Sequence, residues 1–101
     1  MTGYRLSPEA RRDILDITDY VAADNVDAAL RLRDRLFAAF DRLARRPGLG
    51  HVRDDLIART AGVRFWPVGV YLVIYRPLEA TIGIVRVLSG YRDLAAILGR
   101  T

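Results

Sequence analysis

Apolar and polar positions follow two rhythms along this chain. From Ala10 to Val21 the apolar residues Ala10, Ile14, Ile17 and Val21 recur every three or four positions, with Leu15 and Tyr20 widening the stripe. That is the period of an amphipathic helix. Ser7-Pro8-Glu9 opens it, supplying a side-chain cap, a ring suited to the first helical position, and negative charge at the positive helix end. Arg11, Arg12, Asp13, Asp16 and Asp19 fall largely outside the stripe, and the helix is expected to end near Ala23. Asp24-Asn25 then offers a turn and a new cap. A second helix is expected over about 26–46, with Ala29, Leu32, Leu36, Phe40 and Leu43 on one face and Leu30 and Phe37 alongside. Asp27–Arg31 and Asp41–Arg45 are spaced for surface ion pairs worth only about 0.2–0.5 kcal/mol each, so apolar burial must hold this helix. Arg45-Arg46 suit its negative end, and Pro47-Gly48 stop it. So short a link between two amphipathic helices implies an antiparallel hairpin.

From Val63 the rhythm changes. Val63-Arg64-Phe65-Trp66-Pro67, the run from Gly69 to Arg76, and the run from Thr81 to Leu88 are short and rich in β-branched and aromatic residues, which reads as three strands. In the middle run Val70, Leu72, Ile74 and Arg76 point one way and Tyr71, Val73 and Tyr75 the other. In the last run Ile82, Ile84, Arg86 and Leu88 share a face opposite Thr81, Gly83, Val85 and Val87. Both faces are largely apolar. A helical hairpin covers only one, so the second is expected to stand open for a partner along Tyr71, Tyr75, Ile82 and Ile84. Gly83 suggests a bulge or a close backbone approach. Tyr4-Arg5-Leu6 fits a short edge strand, and a final helix is expected from Arg92 to Leu98, ended by Gly99. Between Pro47 and Gly62 runs one long connection, with a helical turn suggested at Asp54-Asp55-Leu56-Ile57. The fold class is therefore α+β: an N-terminal strand, an antiparallel helical hairpin packed on one face of a small antiparallel sheet, and a short C-terminal helix, in a single domain over 1–101.

Composition narrows the chemistry. At 101 residues and 51% apolar content, the chain is long enough to bury a core without staples. Cys is absent and His51 is the sole histidine, which excludes disulfides, thiolate chemistry and a multi-histidine metal site. The formal charge is +4 and every basic residue is Arg, a balance that suits nucleic acid or an acidic protein partner. The opening residues Met1 to Leu6 lack a long apolar run, so a cytoplasmic protein is expected. The Arg residues are spread among Asp, and no basic recognition helix follows a glycine turn.

Several of these segments resemble the RelE/ParE superfamily of type II toxin–antitoxin systems, and the ParE branch most. The matching pieces are Tyr4-Arg5-Leu6-Ser7-Pro8-Glu9-Ala10; Pro47 followed by Leu49-Gly50 and Arg53; Tyr71-Leu72-Val73-Ile74-Tyr75-Arg76; and Ile84-Val85-Arg86-Val87-Leu88 with Ser89-Gly90-Tyr91-Arg92-Asp93-Leu94. Their order and spacing carry the likeness over nearly the whole chain. Ser89 departs from it, standing where the family pattern favours His. The resemblance implies a toxin neutralised by a cognate antitoxin whose C-terminal arm packs on it, with no cofactor and no metal.

Two activities follow from the two branches. ParE-like toxins resemble inhibitors of DNA gyrase. RelE-like toxins resemble ribosome-dependent mRNA endoribonucleases, which need one group to activate the 2′-hydroxyl, another to protonate the leaving oxygen, and cations for the crowded phosphate. Here Arg64, Arg76, Arg86 and Arg92 supply cations, but Arg is a poor proton shuttle, Lys is absent, and Tyr91 is the only acid/base candidate near the end. The gyrase-directed toxin is therefore the expectation, with RNA cleavage by Arg64, Arg86, Tyr91 and Arg92 as the alternative. Candidate contacts to antitoxin or target are Arg64, Tyr71, Tyr75, Ile82, Ile84, Arg86, Tyr91 and Arg92. Arg86, inside an apolar strand, is equally suited to pairing with a buried acid such as Asp93. Trp66, beside Pro67, is assigned to packing at a strand end.

Overall fold

A computed structural model describes residues 3–52 and 62–90. In chain order these form β1 (Tyr4–Leu6), α1 (Pro8–Ala22), α2 (Val26–Arg45), a 3-10 turn at Pro47–Leu49, β2 (Arg64–Val68), β3 (Tyr71–Pro77) and β4 (Ile82–Ser89). The expected helical turn at 54–57 and the helix at 92–98 lie outside the described residues.

Local chemistry sets both helices. Ser7 Oγ accepts from the Ala10 N–H at 2.9 Å and Asn25 Oδ1 from the Ala28 N–H at 2.9 Å, so each helix opens on a side-chain cap. Pro47 forces the residue before it out of helical geometry, and Arg46 accordingly sits at φ −135°, ψ 74°. On α2 the expected stripe is buried, Leu36, Phe40 and Leu43 completely. On α1 the stripe is narrower than expected: Ala10 and Ile14 are buried, Ile17 and Val21 pack partly, but Leu15 and Tyr20 face solvent at 61% and 80% exposure. Leu30 of α2 is likewise 44% exposed. Neither Asp27–Arg31 nor Asp41–Arg45 closes as an ion pair, as befits contacts too weak to offset side-chain entropy.

The four strands form one sheet in the order β1-β4-β3-β2. It is mixed rather than antiparallel, because β1 runs parallel to β4 while the other pairs are antiparallel. Parallel pairing requires a crossover, and the helical hairpin lies within the one that separates β1 from β4. Gly69 turns β2 into β3 at φ +60°, a backbone region that favours glycine in two-residue hairpins. At the β2 edge, Phe65 exchanges two backbone bonds of 2.8 Å with His51. Two residues further along the same edge, Pro67 has no N–H to offer, which blunts it against stray strand pairing.

One core fills the space between sheet and helices. Leu36, Phe40 and Leu43 meet Val73, Tyr75, Ile82, Ile84 and Val87 there. Tyr4 ties β1 to α2, its ring 5.3 Å from that of Phe40 and edge-on to it. On the opposite face Val63, Phe65, Ile74 and Leu88 form a second cluster, with Leu72 and Val85 packed against it. These four residues are 5% exposed or less although no residue of either helix belongs to the cluster. The expected open apolar strip is thus corrected. Tyr75, Ile82 and Ile84 are at most 1% exposed and face the helices; Tyr71 alone of that set is part-exposed.

Candidate functional site

The correction traces to one extra residue. Val73 lies opposite Val87 and Ile74 opposite Arg86, but Tyr75 lies opposite Ile84, so Val85 has no partner across the strand. A bulge of this kind resets side-chain parity. Ile82, Ile84 and Val87 can then all face the helices, which strict alternation forbids, and Leu88 and Val85 turn to the second cluster.

The bulge lies just past the end of β1, where β4 would otherwise present a bare edge. The start of α1 takes over that edge. The Ser7 N–H donates to the Ile84 carbonyl at 3.0 Å and Ser7 Oγ donates to the Val85 carbonyl at 2.7 Å. Asp13 closes the next step. Its Oδ2 accepts from Arg86 Nε at 2.7 Å and from the Val87 N–H at 3.0 Å, while its Oδ1 accepts from Arg86 Nη2 at 2.9 Å. A bidentate guanidinium–carboxylate pair with an added backbone donor is a strong, orienting arrangement. The hydrogen bond to Asp13 raises the pKa of Arg86 further, against the opposing effect of burial. Arg86 therefore does pair with a buried acid, but the acid is Asp13 of α1. Asp93 lies outside the described residues, as do Tyr91 and Arg92.

At the other side of the sheet, Tyr75 acts as a peg for the turn after α2. Its hydroxyl accepts from the Gly50 N–H at 2.7 Å and donates to the Pro47 carbonyl at 2.6 Å. Burial raises its pKa, with the Gly50 bond and the Arg64 charge pulling the other way. Arg64 Nη1 donates to the Gly50 carbonyl at 2.8 Å. Trp66, half-buried, carries the His51 ring stacked at 6.3 Å between centroids and the Arg42 guanidinium 5.5 Å from its ring centroid. It packs against the helix-side core, but from the middle of β2 rather than at a strand end, and it also gathers a cation and an imidazole.

The sequence-derived candidates therefore do not converge. Arg64 pairs across the sheet with Tyr75 on the helix-facing side, whereas Arg86 pairs with Ile74 on the other, and β3 lies between their strands. Tyr71, part-exposed, flanks a shallow groove with Ile17, Tyr20 and Ser89. Asp13 was hidden by its charge: it lies three residues after Ala10 and four before Ile17, squarely on the buried stripe. Among the described residues no three His, Asp or Glu side chains cluster as a metal site, and no helix is long and apolar enough to cross a membrane.

With this geometry in hand, comparison with known proteins is specific. A family model described as the ParE toxin of type II toxin–antitoxin system, parDE, matches residues 4–94. A chain of the chromosomal ParDE TA system from P. aeruginosa has the same fold at a TM-score of 0.70 and 21% identity, covering 88% of this chain and 96% of that one. A chain of the toxin–antitoxin complex RelBE2 from Mycobacterium tuberculosis aligns at a TM-score of 0.55 and 27% identity, covering 87% and 96%. No curated protein sequence matches.

Proposed function

We propose, from the premise that this chain belongs to the ParE toxin family of type II toxin–antitoxin systems, that its target is DNA gyrase and that a cognate antitoxin holds it inactive. The toxin role follows from the family, whose model spans residues 4–94, and residues 1–101 read as one toxin domain acting in the cytoplasm, where gyrase is found. The antitoxin partner is supported by likeness to a chain from a toxin–antitoxin complex.

The observation that favours gyrase over RNA is the fate of the polar groups. Cleavage of a phosphodiester needs a proton acceptor and a proton donor within reach of one phosphate. Arg64 is tied to the Gly50 carbonyl, Arg86 to Asp13, and the Tyr75 hydroxyl is spent on Gly50 and Pro47. Among the described residues these groups serve the fold. Blocking a topoisomerase asks only for a rigid, complementary surface, and such fastenings provide rigidity. Tyr71, Arg64, Tyr91 and Arg92 remain the proposed contacts, while Tyr75, Ile82, Ile84 and Arg86 join the sheet to the helices and to the turn after α2.

The test is to induce the chain and follow gyrase supercoiling and message integrity together. Inhibited supercoiling with intact messages is expected. Cut messages with normal supercoiling would replace this reading with RNA cleavage.

A further inference from the structure

The sheet face turned away from the helices carries an arrangement that neither the core nor the fastenings explain. Arg5 of β1 lies opposite Gly83 of β4, and Gly83 lies opposite Arg76 of β3. Residues paired across strands project to the same face, so the three make one row with an arginine at each end and no side chain between. Strand spacing puts the two arginine Cα atoms about 10 Å apart. Both arginines are exposed, and neither makes a hydrogen bond or ion pair with another described residue. Among the described residues the groove at this row is otherwise lined by Leu6, Ser7, Leu78, Ile84 and Val85, and by no Asp or Glu. Leu78, 45% exposed, brings its Cδ1 to 3.7 Å from where a Cβ on Gly83 would sit.

We propose that this groove seats a segment of the antitoxin bearing an acidic residue beside an aliphatic one, with Arg5 and Arg76 gripping the carboxylate and the aliphatic side chain lying on Gly83 and Leu78. The inference rests on the toxin reading above and adds the place and chemistry of contact. Two unpaired guanidinium forks match carboxylate geometry. The aliphatic floor fits an apolar side chain, and the missing Cβ at Gly83 lets it approach the backbone closely. A single-stranded nucleic acid would instead want aromatic platforms for its bases, and among the described residues no aromatic side chain lines the groove.

The experiment coexpresses the full chain with the protein of the adjacent reading frame, purifies the pair, and measures their affinity. Reversing both charges, Arg5→Glu with Arg76→Glu, is expected to weaken binding by about 100-fold or more. Arg31→Glu, on the exposed face of α2, keeps wild-type affinity. Gly83→Val leaves both charges in place, and its Cβ meets only the mobile end of Leu78 at ordinary contact distance. It should melt within a few degrees of wild type yet bind about tenfold more weakly by filling the gap, and it decides the matter should the double variant not fold. Affinities within threefold of wild type for these variants would overturn the groove. So would loss of binding to a labelled single-stranded RNA 20-mer with the antitoxin affinity intact. A wild-type chain that neither arrests growth nor binds the neighbouring protein would sink the toxin reading itself, and this inference with it.

Discussion

Asp13→Ala should be among the most damaging single-atom-group removals outside the apolar core. The carboxylate is 10% exposed and accepts three bonds, two from Arg86 and one from the Val87 N–H. Its loss leaves a guanidinium without its partner and a buried backbone donor unsatisfied. Removing one member of a buried pair costs about 3–5 kcal/mol, but 18% of the Arg86 side chain still reaches solvent and can rehydrate, so about 2–4 kcal/mol is the working figure. At roughly 4–8 °C per kcal/mol for a domain of this size, the melting point should fall by about 8–32 °C. Asp13→Asn keeps an oxygen for one donor and should fall between. Urea unfolding of wild type, Asp13→Ala, Arg86→Ala and the double variant gives the coupling, expected at about 1–3 kcal/mol. A loss below about 1 kcal/mol for Asp13→Ala, or single losses that simply add, would refute the idea that this pair fastens α1 to the strand edge.

Three other substitutions and a pH series test the rest of the packing. Tyr75→Phe removes the partner of both the Gly50 N–H and the Pro47 carbonyl and should cost about 1–3 kcal/mol in denaturant unfolding. Because burial raises the pKa of Tyr75, and that of Tyr4 with help from Asp41, the unfolded chain releases these protons first. Stability should therefore be flat through neutral pH and decline above about pH 10, less steeply in Tyr75→Phe, as read from urea midpoints between pH 8 and 11. Gly50→Ala would put a methyl 2.5 Å from the Tyr75 ring and hydroxyl, and the forced shift should lower the midpoint by about 1–3 kcal/mol. Phe40→Ala opens a cavity under Tyr4 at a fully buried site and should cost about 3–5 kcal/mol by calorimetry.

What could be read from the chain divides by range. The helices were legible because their signals are local: Ser7 and Asn25 cap where their positions say they should, Pro47 stops α2, and the stripe through Leu32, Leu36, Phe40 and Leu43 is the buried one. Strand positions and the alternation of Leu72 and Ile74 against Tyr71, Val73 and Tyr75 were legible for the same reason. The bulge was not. Gly83 invited it by composition, but it falls at Val85, because the constraint is that Ile84 and Val87 both reach the helices. That demand comes from α1 and α2, some forty residues and more away in sequence. The parallel pairing of β1 was hidden likewise, since three residues carry no mark of strand direction.

Asp13 shows the same limit from the side of charge. On a helix read alone, an acid at a stripe position looks like a flaw in the pattern, and the economical reading rotates the face to exclude it. Only with β4 in place does the reason appear: β1 is three residues long and β4 eight, so the edge beyond Leu6 needs an acceptor for the Val87 N–H and a counter-charge for Arg86. A hydrophobic residue at position 13 would satisfy the stripe and orphan both. This also relocates the surface available to a partner. The groups first picked from the strands, Tyr75, Ile82, Ile84 and Arg86, are consumed in joining sheet to helices. The charge left uncommitted on the sheet is the Arg5–Arg76 pair astride Gly83, on the face the hairpin does not cover.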